Sequence, residues 1–174
     1  MSTDSKQLAE RFAAAKVVVV DDEHYMRKVV RTMLLSIGIH EVHEAPDGAA
    51  GLDVIRRVAP DVVILDWQMP ELDGPGFVRI VRSPATFPYP NVPIIMLTGH
   101  GERSRVIEAV KIGVNEFLLK PVSVKALQDR MTSVLTQPRE VVKSGGYYGP
   151  VPRKLATAIH ADNDQAIANL SVVN

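Results

Sequence analysis

Five residues with charged or hydroxyl side chains stand directly after short apolar runs. Asp21 and Asp22 follow the valines at 17–20, Asp66 follows 62–65, Thr98 follows 93–97, and Lys120 with Pro121 follows the apolar part of EFLLKP. Taken singly, each has an ordinary reading. An Asp after a strand caps a helix, a lone Lys is solvated, and a Thr at a strand end signifies little. Taken together they do not. Three carboxylates brought to one place repel one another, so their coexistence implies a hard divalent cation, and for oxygen ligands in a cytosolic protein that is Mg²⁺. A nearby ammonium from Lys120 would supply the remaining positive charge.

Convergence requires a scaffold, and the hydropathy pattern supplies one. Short apolar runs alternate with helix-patterned segments, the signal of βα units and a parallel sheet buried on both faces. After the run at 17–20, a helical stripe of Met26, Val29, Val30, Met33, Leu34 and Ile37 ends at Gly38. A strand at 39–44 follows, then a helix capped by Asp47 and carrying Leu52 and Ile55, closed by Pro60 ahead of the strand at 62–65. The turn-rich MPELDGPG leads to a short helix at 76–82, and 83–92, with three prolines, reads as an irregular surface excursion. The strand at 93–97 leads to a helix at 102–112, with Val106 and Val110 one turn apart and Gly113 at its end. EFLLKP is a fifth strand, and Ser123 caps a helix bearing Val124, Leu127, Met131 and Leu135. In such open parallel sheets ligands bind at the carboxyl ends of the strands. Four of the five strands deliver charge or hydroxyl to that rim.

Composition narrows the classes. The 174-residue chain is 46% apolar and 23% charged, with a formal net charge of +0, which gives no sign of a nucleic-acid-coating or membrane-surface protein. Without cysteine there is no disulfide framework, thiolate nucleophile or zinc–thiolate cluster. The start has no secretory signal pattern, and no apolar run approaches the ~20 residues that span a bilayer. A cytoplasmic protein without a membrane segment is expected.

The order DD after the first strand, D after the third in ILDWQMPELDG, T after the fourth in MLTGHGE and KP after the fifth resembles the receiver domain of bacterial two-component response regulators. The resemblance covers roughly residues 16–136. It implies a flavodoxin-like α/β fold, a five-stranded parallel sheet of order 2-1-3-4-5 flanked by five helices. It further implies that Asp66 is the phosphoacceptor, attacking a phosphohistidine of a sensor histidine kinase or histidine phosphotransfer protein. Asp22, Asp66 and the backbone carbonyl of Gln68 would bind Mg²⁺, with Asp21 acting through a water. Lys120 and Thr98 would contact the phosphoryl oxygens, Thr98 and Phe117 would act as a switch, and Gln68 and His100 would tune hydrolysis. Phe117 stands where the family often has Tyr, so an inward ring loses no phenolic hydrogen bond. Trp67, the only tryptophan, follows the acceptor and should report on it.

The flanks fall outside the pattern. Residues 1–15 read as an N-terminal extension, 16–137 as the receiver domain and 138–174 as a tail with no recognisable effector, so no direct DNA binding is expected. SGGYYGPVP reads as a linker, with Tyr147 and Tyr148 available to dock on a receiver face of the same chain or of a homodimer mate. Beyond it Leu155, Ile159, Ala166 and Leu170 form an apolar stripe, interrupted near 161–164. The expected function is that of a stand-alone response regulator, a signalling protein and not an enzyme, passing its state to a downstream protein target through a changed binding surface. A haloacid-dehalogenase-like phosphatase also uses Asp, Mg²⁺, Thr and Lys, but it needs a second Asp where this chain has Gln68. A degenerate receiver is disfavoured by the intact set, and no G-x-G-x-x-G follows the first strand for a dinucleotide.

Overall fold

A computed structural model describes residues 3–99 and 103–152. In chain order the elements are α1 (Thr3–Ala14), β1 (Lys16–Val20), α2 (His24–Ser36), β2 (Glu41–Ala45), α3 (Gly48–Val58), β3 (Val62–Asp66) and α4 (Gly74–Val81). There follow β4 (Ile94–Thr98), α5 (Arg103–Ile112), β5 (Glu116–Leu119), α6 (Val124–Thr136), β6 (Val141–Ser144) and β7 (Tyr147–Pro150). The first five strands form one parallel sheet in the order β2-β1-β3-β4-β5, the order the resemblance implies.

Side chains alternate across a strand, so a continuous apolar run feeds two cores. Val18, Val20, Val63, Leu65 and Met96 pack with Ile55, Phe77 and Val106 on the side of α3, α4 and α5. Val17, Val19, Ile64 and Leu97 pack with Leu34, Leu127 and Met131 on the side of α2 and α6. Each such side chain contributes about 1.5–3 kcal/mol by leaving water. Helix ends follow the expected chemistry: Asp47 accepts from the Ala50 N–H at 2.8 Å and Ser123 from the Ala126 N–H at 3.1 Å. Gly38 and Gly113 take positive φ, 95° and 97°, just past α2 and α5.

The N-terminal extension folds as α1: Leu8 and Phe12, one turn apart, place it against the second core, and Arg11 Nη1 donates to the Leu135 carbonyl of α6 at 3.0 Å. One of the sequence expectations needs correction. SGGYYGPVP is not a linker. β6 and β7 pair antiparallel around Gly145-Gly146, with Gly145 at φ 56°, as a two-residue hairpin turn demands. Smaller shifts occur at α4, which starts at Gly74 because Asp73 caps it through the Gly76 N–H at 2.8 Å, and at β2, which starts at Glu41. The apolar stripe beyond the hairpin lies outside the described residues.

The hairpin and the 83–92 excursion meet at a buried cation absent from the sequence expectations. Arg82, only 6% exposed, donates from Nε to the Gly113 carbonyl, from Nη1 to the carbonyls of Pro90 and Val92, and from Nη2 to Asn115 Oδ1, at 2.7–2.9 Å. These bonds fold the proline-rich excursion back onto the base of the sheet. Burial pulls the Arg82 pKa down to about 10, against the pull of Tyr147 and Tyr148, so it stays a cation at neutral pH.

Candidate functional site

The carboxyl ends of β1, β3, β4 and β5 are held in line by register, with Val20 opposite Leu65, Asp66 opposite Leu97 and Thr98 opposite Leu119. The apolar strands therefore act as rigid stalks that present Asp21, Asp22, Asp66, Thr98 and Lys120 at one rim. Asp21 and Asp66 are buried and Asp22 is exposed. One carboxylate oxygen from each lies within 4.8 Å of the others, so the three carboxylates converge as the sequence pattern suggests. Lys120 Nζ stands 2.8 Å from Asp66 Oδ1 and 3.8 Å from Asp21 Oδ2. Its backbone N–H donates to the Thr98 carbonyl at 2.8 Å, tying the two strand ends together.

The electrostatics of this cluster are unsatisfied. Asp21 Oδ1 accepts the Glu23 N–H at 2.9 Å, while Oδ2 is buried without a hydrogen-bond partner. Burial pushes the Asp21 carboxyl up to about 6; the Glu23 N–H and Lys120 oppose this, and the charges of Asp66 and Asp22 add to it. Asp66 is raised too, by burial, with the hydrogen bond and charge of Lys120 offsetting only part of it. For Lys120, burial alone would lower the pKa, but its bond to Asp66 and the charges of Asp66, Asp21 and Glu23 outweigh that and raise it. Among the described residues, one ammonium against three carboxylates leaves the rim short of positive charge. Two buried carboxyls that resist ionisation and one orphaned oxygen are the donor set a hard divalent cation satisfies.

An open cleft beside Asp22 is lined by Trp67, Gln68, Met69, Pro70 and Asp73, so the chain after Asp66 forms the wall next to the carboxylates. Gln68 is exposed there, on the side of Asp22. Phe117 is buried in the core shared with Trp67, Met96 and Val106, its ring on the inward side. His100 lies outside the described residues.

Sequence reasoning passed over three contributors. Gly74 lets the 67–73 loop fold back on the end of β3: its N–H donates to the Trp67 carbonyl at 2.8 Å, and a Cβ there would stand 2.7 Å from the Asp66 carbonyl oxygen. The Asp-Gly pair at 73–74 was its visible signal. Arg27 braces the first strand end, donating from Nη1 to the Asp21 carbonyl at 2.7 Å while facing Glu44 at 3.5 Å. Arg105, on the first turn of α5, lies 5.6 Å over the Trp67 ring. No spacing rule links the last two pairs, because only the tertiary fold brings them together.

Among the described residues, no helix is long and apolar enough to cross a membrane. Comparison with known proteins agrees with the geometry. The response regulator receiver domain family matches residues 17–132. The chain is 37% identical over 121 residues to the chemotaxis protein CheY1 of Helicobacter pylori, covering 69% of this chain and 96% of that one. It is 40% identical over 131 residues to the probable transcriptional regulator ycf27 of Pyropia yezoensis, covering 75% of this chain but only 51% of that longer protein. Among solved structures, Vibrio cholerae CheY4 aligns with a TM-score of 0.64 at 34% identity, covering 70% of this chain and 98% of that one. A putative response regulator from Chloroflexus aurantiacus aligns with a TM-score of 0.65 at 30% identity, covering 71% and 98%. With the sheet order, the acidic rim and these relatives in agreement, the chain belongs to the response regulator receiver domain family, whose work is two-component phosphorelay signalling.

Proposed function

We propose that Asp66 is the phosphoacceptor of this chain and that it takes its phosphoryl group from a phosphohistidine on a sensor histidine kinase or phosphotransfer protein. The observation that carries this is the 2.8 Å pairing of Lys120 Nζ with Asp66 Oδ1 inside a cluster of three carboxylates. A carboxylate oxygen of Asp66 forms the new bond to phosphorus as the phosphorus–nitrogen bond of the donor imidazole breaks. The apolar stalk of β3 holds the nucleophile still, which lowers the entropic cost of reaching an in-line geometry. Charge spreads over the equatorial oxygens in such a transfer, so fixed positive charge is what the site must supply. Lys120 exchanges its partner, leaving the Asp66 oxygen for a phosphoryl oxygen, and the Thr98 hydroxyl donates to another. Asp22, Asp66 and the Gln68 carbonyl are the groups that would hold Mg²⁺, with Asp21 acting through a water, and the ion would supply charge neutralisation for both the carboxylates and the incoming phosphoryl oxygens.

The modified protein then signals by a changed surface, not by turning over a substrate. Thr98 and the inward ring of Phe117 sit on adjacent strands beneath α5, so movement of the hydroxyl toward the phosphoryl group alters the α5–β5–α6 side. Gln68, at the mouth of the cleft, and His100 set the access of water to the phosphoryl group. Intact mass after incubation with acetyl phosphate and Mg²⁺ tests the acceptor. Wild type should gain about 80 Da, one phosphoryl unit, and Asp66→Asn none; equal gain in both would remove Asp66 from the role.

A further inference from the structure

Resting on Asp66 as the acceptor, we propose that the β6–β7 hairpin is a clamp on α5, released by phosphorylation and restraining it in return. The two ends of α5 are engaged by different parts of the molecule. At its start Arg105 lies 5.6 Å over the ring of Trp67, the residue next to the acceptor. At its far end, ten residues or about 15 Å along the helix, the chain turns through Gly113. A Cβ on Gly113 would stand 2.8 Å from the Tyr148 carbonyl oxygen, and one on Gly149 would stand 2.8 Å from the Gly113 Cα. Two glycines thus face each other where β7 packs on α5.

Further bonds fasten the hairpin to the same region. Arg139 Nη2 donates to the Asn115 carbonyl, and Tyr148 Oη donates to Asn91 Oδ1 at 2.5 Å. The Asn115 side chain in turn accepts from Arg82 and from the Ile94 N–H at the start of β4. Backbone packed this tightly has no slack, so a shift of α5 along or about its axis must break the hairpin contacts or be prevented by them. The hairpin is docked in an arrangement in which Lys120 Nζ pairs with Asp66 Oδ1 at 2.8 Å, the pairing that phosphorylation exchanges. A hairpin that favours the unmodified arrangement opposes phosphorylation by the same factor with which phosphorylation loosens the hairpin.

Amide hydrogen exchange on the full chain, with and without beryllofluoride and Mg²⁺, tests the first half. Exchange at 141–150 should speed up by about fivefold or more. Unchanged exchange there, with intact mass showing a phosphoryl group on Asp66 after acetyl phosphate, overturns the clamp alone. Absence of that mass gain removes the acceptor and the clamp together. The reciprocal half uses Gly149→Val, which cannot approach Gly113, and the milder Tyr148→Phe, which loses only its bond to Asn91. Both should raise the phosphorylated fraction at sub-saturating acetyl phosphate, the former by about fivefold. A fraction at or below wild type in Tyr148→Phe, or in Gly149→Val where it folds, refutes the coupling.

Discussion

Replacing Asp21 by Asn should make the metal-free protein more stable, although it damages the site. Asp21 is 1% exposed, and its carboxyl is raised from an ordinary 3.8 to about 6, first by burial and then by Asp66 and Asp22, against the Glu23 N–H and Lys120. At about 1.4 kcal/mol per pH unit, this rise is worth about 3 kcal/mol. Its sign follows from proton binding. Below pH 3.8 the carboxyl is protonated in folded and unfolded chains alike, and no penalty applies. As pH rises from there to about 6, the unfolded chain ionises first and the folded state loses ground. Above that range both are ionised and the full penalty is in force.

Asn cannot ionise, keeps a carbonyl oxygen for the Glu23 N–H, and gives up only the 3.8 Å attraction to a partly exposed Lys120. The expected net gain is about 2 kcal/mol at pH 7 in EDTA. Urea unfolding of both proteins from pH 4 to 8 measures it, with the gap closing toward pH 4. Saturating Mg²⁺ should erase much of the difference, because a cation that binds only the folded state stabilises wild type more. A mutant no more stable than wild type at pH 7, or a gap that persists unchanged at pH 4, would show that the rim is not electrostatically strained.

Other consequences can be measured separately. Asp22→Ala should weaken the Mg²⁺ response of Trp67 fluorescence by about tenfold, or about 1.4 kcal/mol, while an unchanged midpoint would take Asp22 out of direct contact. Arg82→Met should cost at least about 3 kcal/mol in urea unfolding, because it strands several buried carbonyls at once, and a cost below about 1 kcal/mol would contradict that. Gly74→Ala should leave the fold intact but slow acetyl phosphate labelling by about tenfold, since its Cβ collides with the Asp66 carbonyl.

The parallel sheet was legible because β1, β3 and β4 are apolar on both faces and run straight into a polar residue, a pattern a doubly covered sheet requires. The rim was legible for the same reason. What escaped notice involved close approach and distant partners. Leu8 and Phe12 carry the helical period of α1, but a single pair among alanines and charges is a faint stripe. The Gly-Gly of the hairpin lies between VVKS and YYGP, a valid turn signal that its many glycines and prolines made look like a linker. Arg82 gave no signal at all, since its acceptors come from Pro90, Val92, Gly113 and Asn115, and no local pattern connects them.

The two ends of the sheet treat charge in opposite ways, and that contrast explains where reactivity can reside. At the base, one buried guanidinium is surrounded by backbone and amide oxygens, with four hydrogen bonds in fixed directions. The Arg82 guanidinium there already has its partners. At the rim, among the described residues, three carboxylates share one ammonium, and Asp21 Oδ2 has no hydrogen bond. Positive charge brought to that end relieves strain the fold has already built in, so binding energy is available there for a hard divalent cation. Local instability of this kind has to be borne by the rest of the molecule. The dense double core and the Arg82 network carry it, and the rim can stay poised without loosening the strands that aim it.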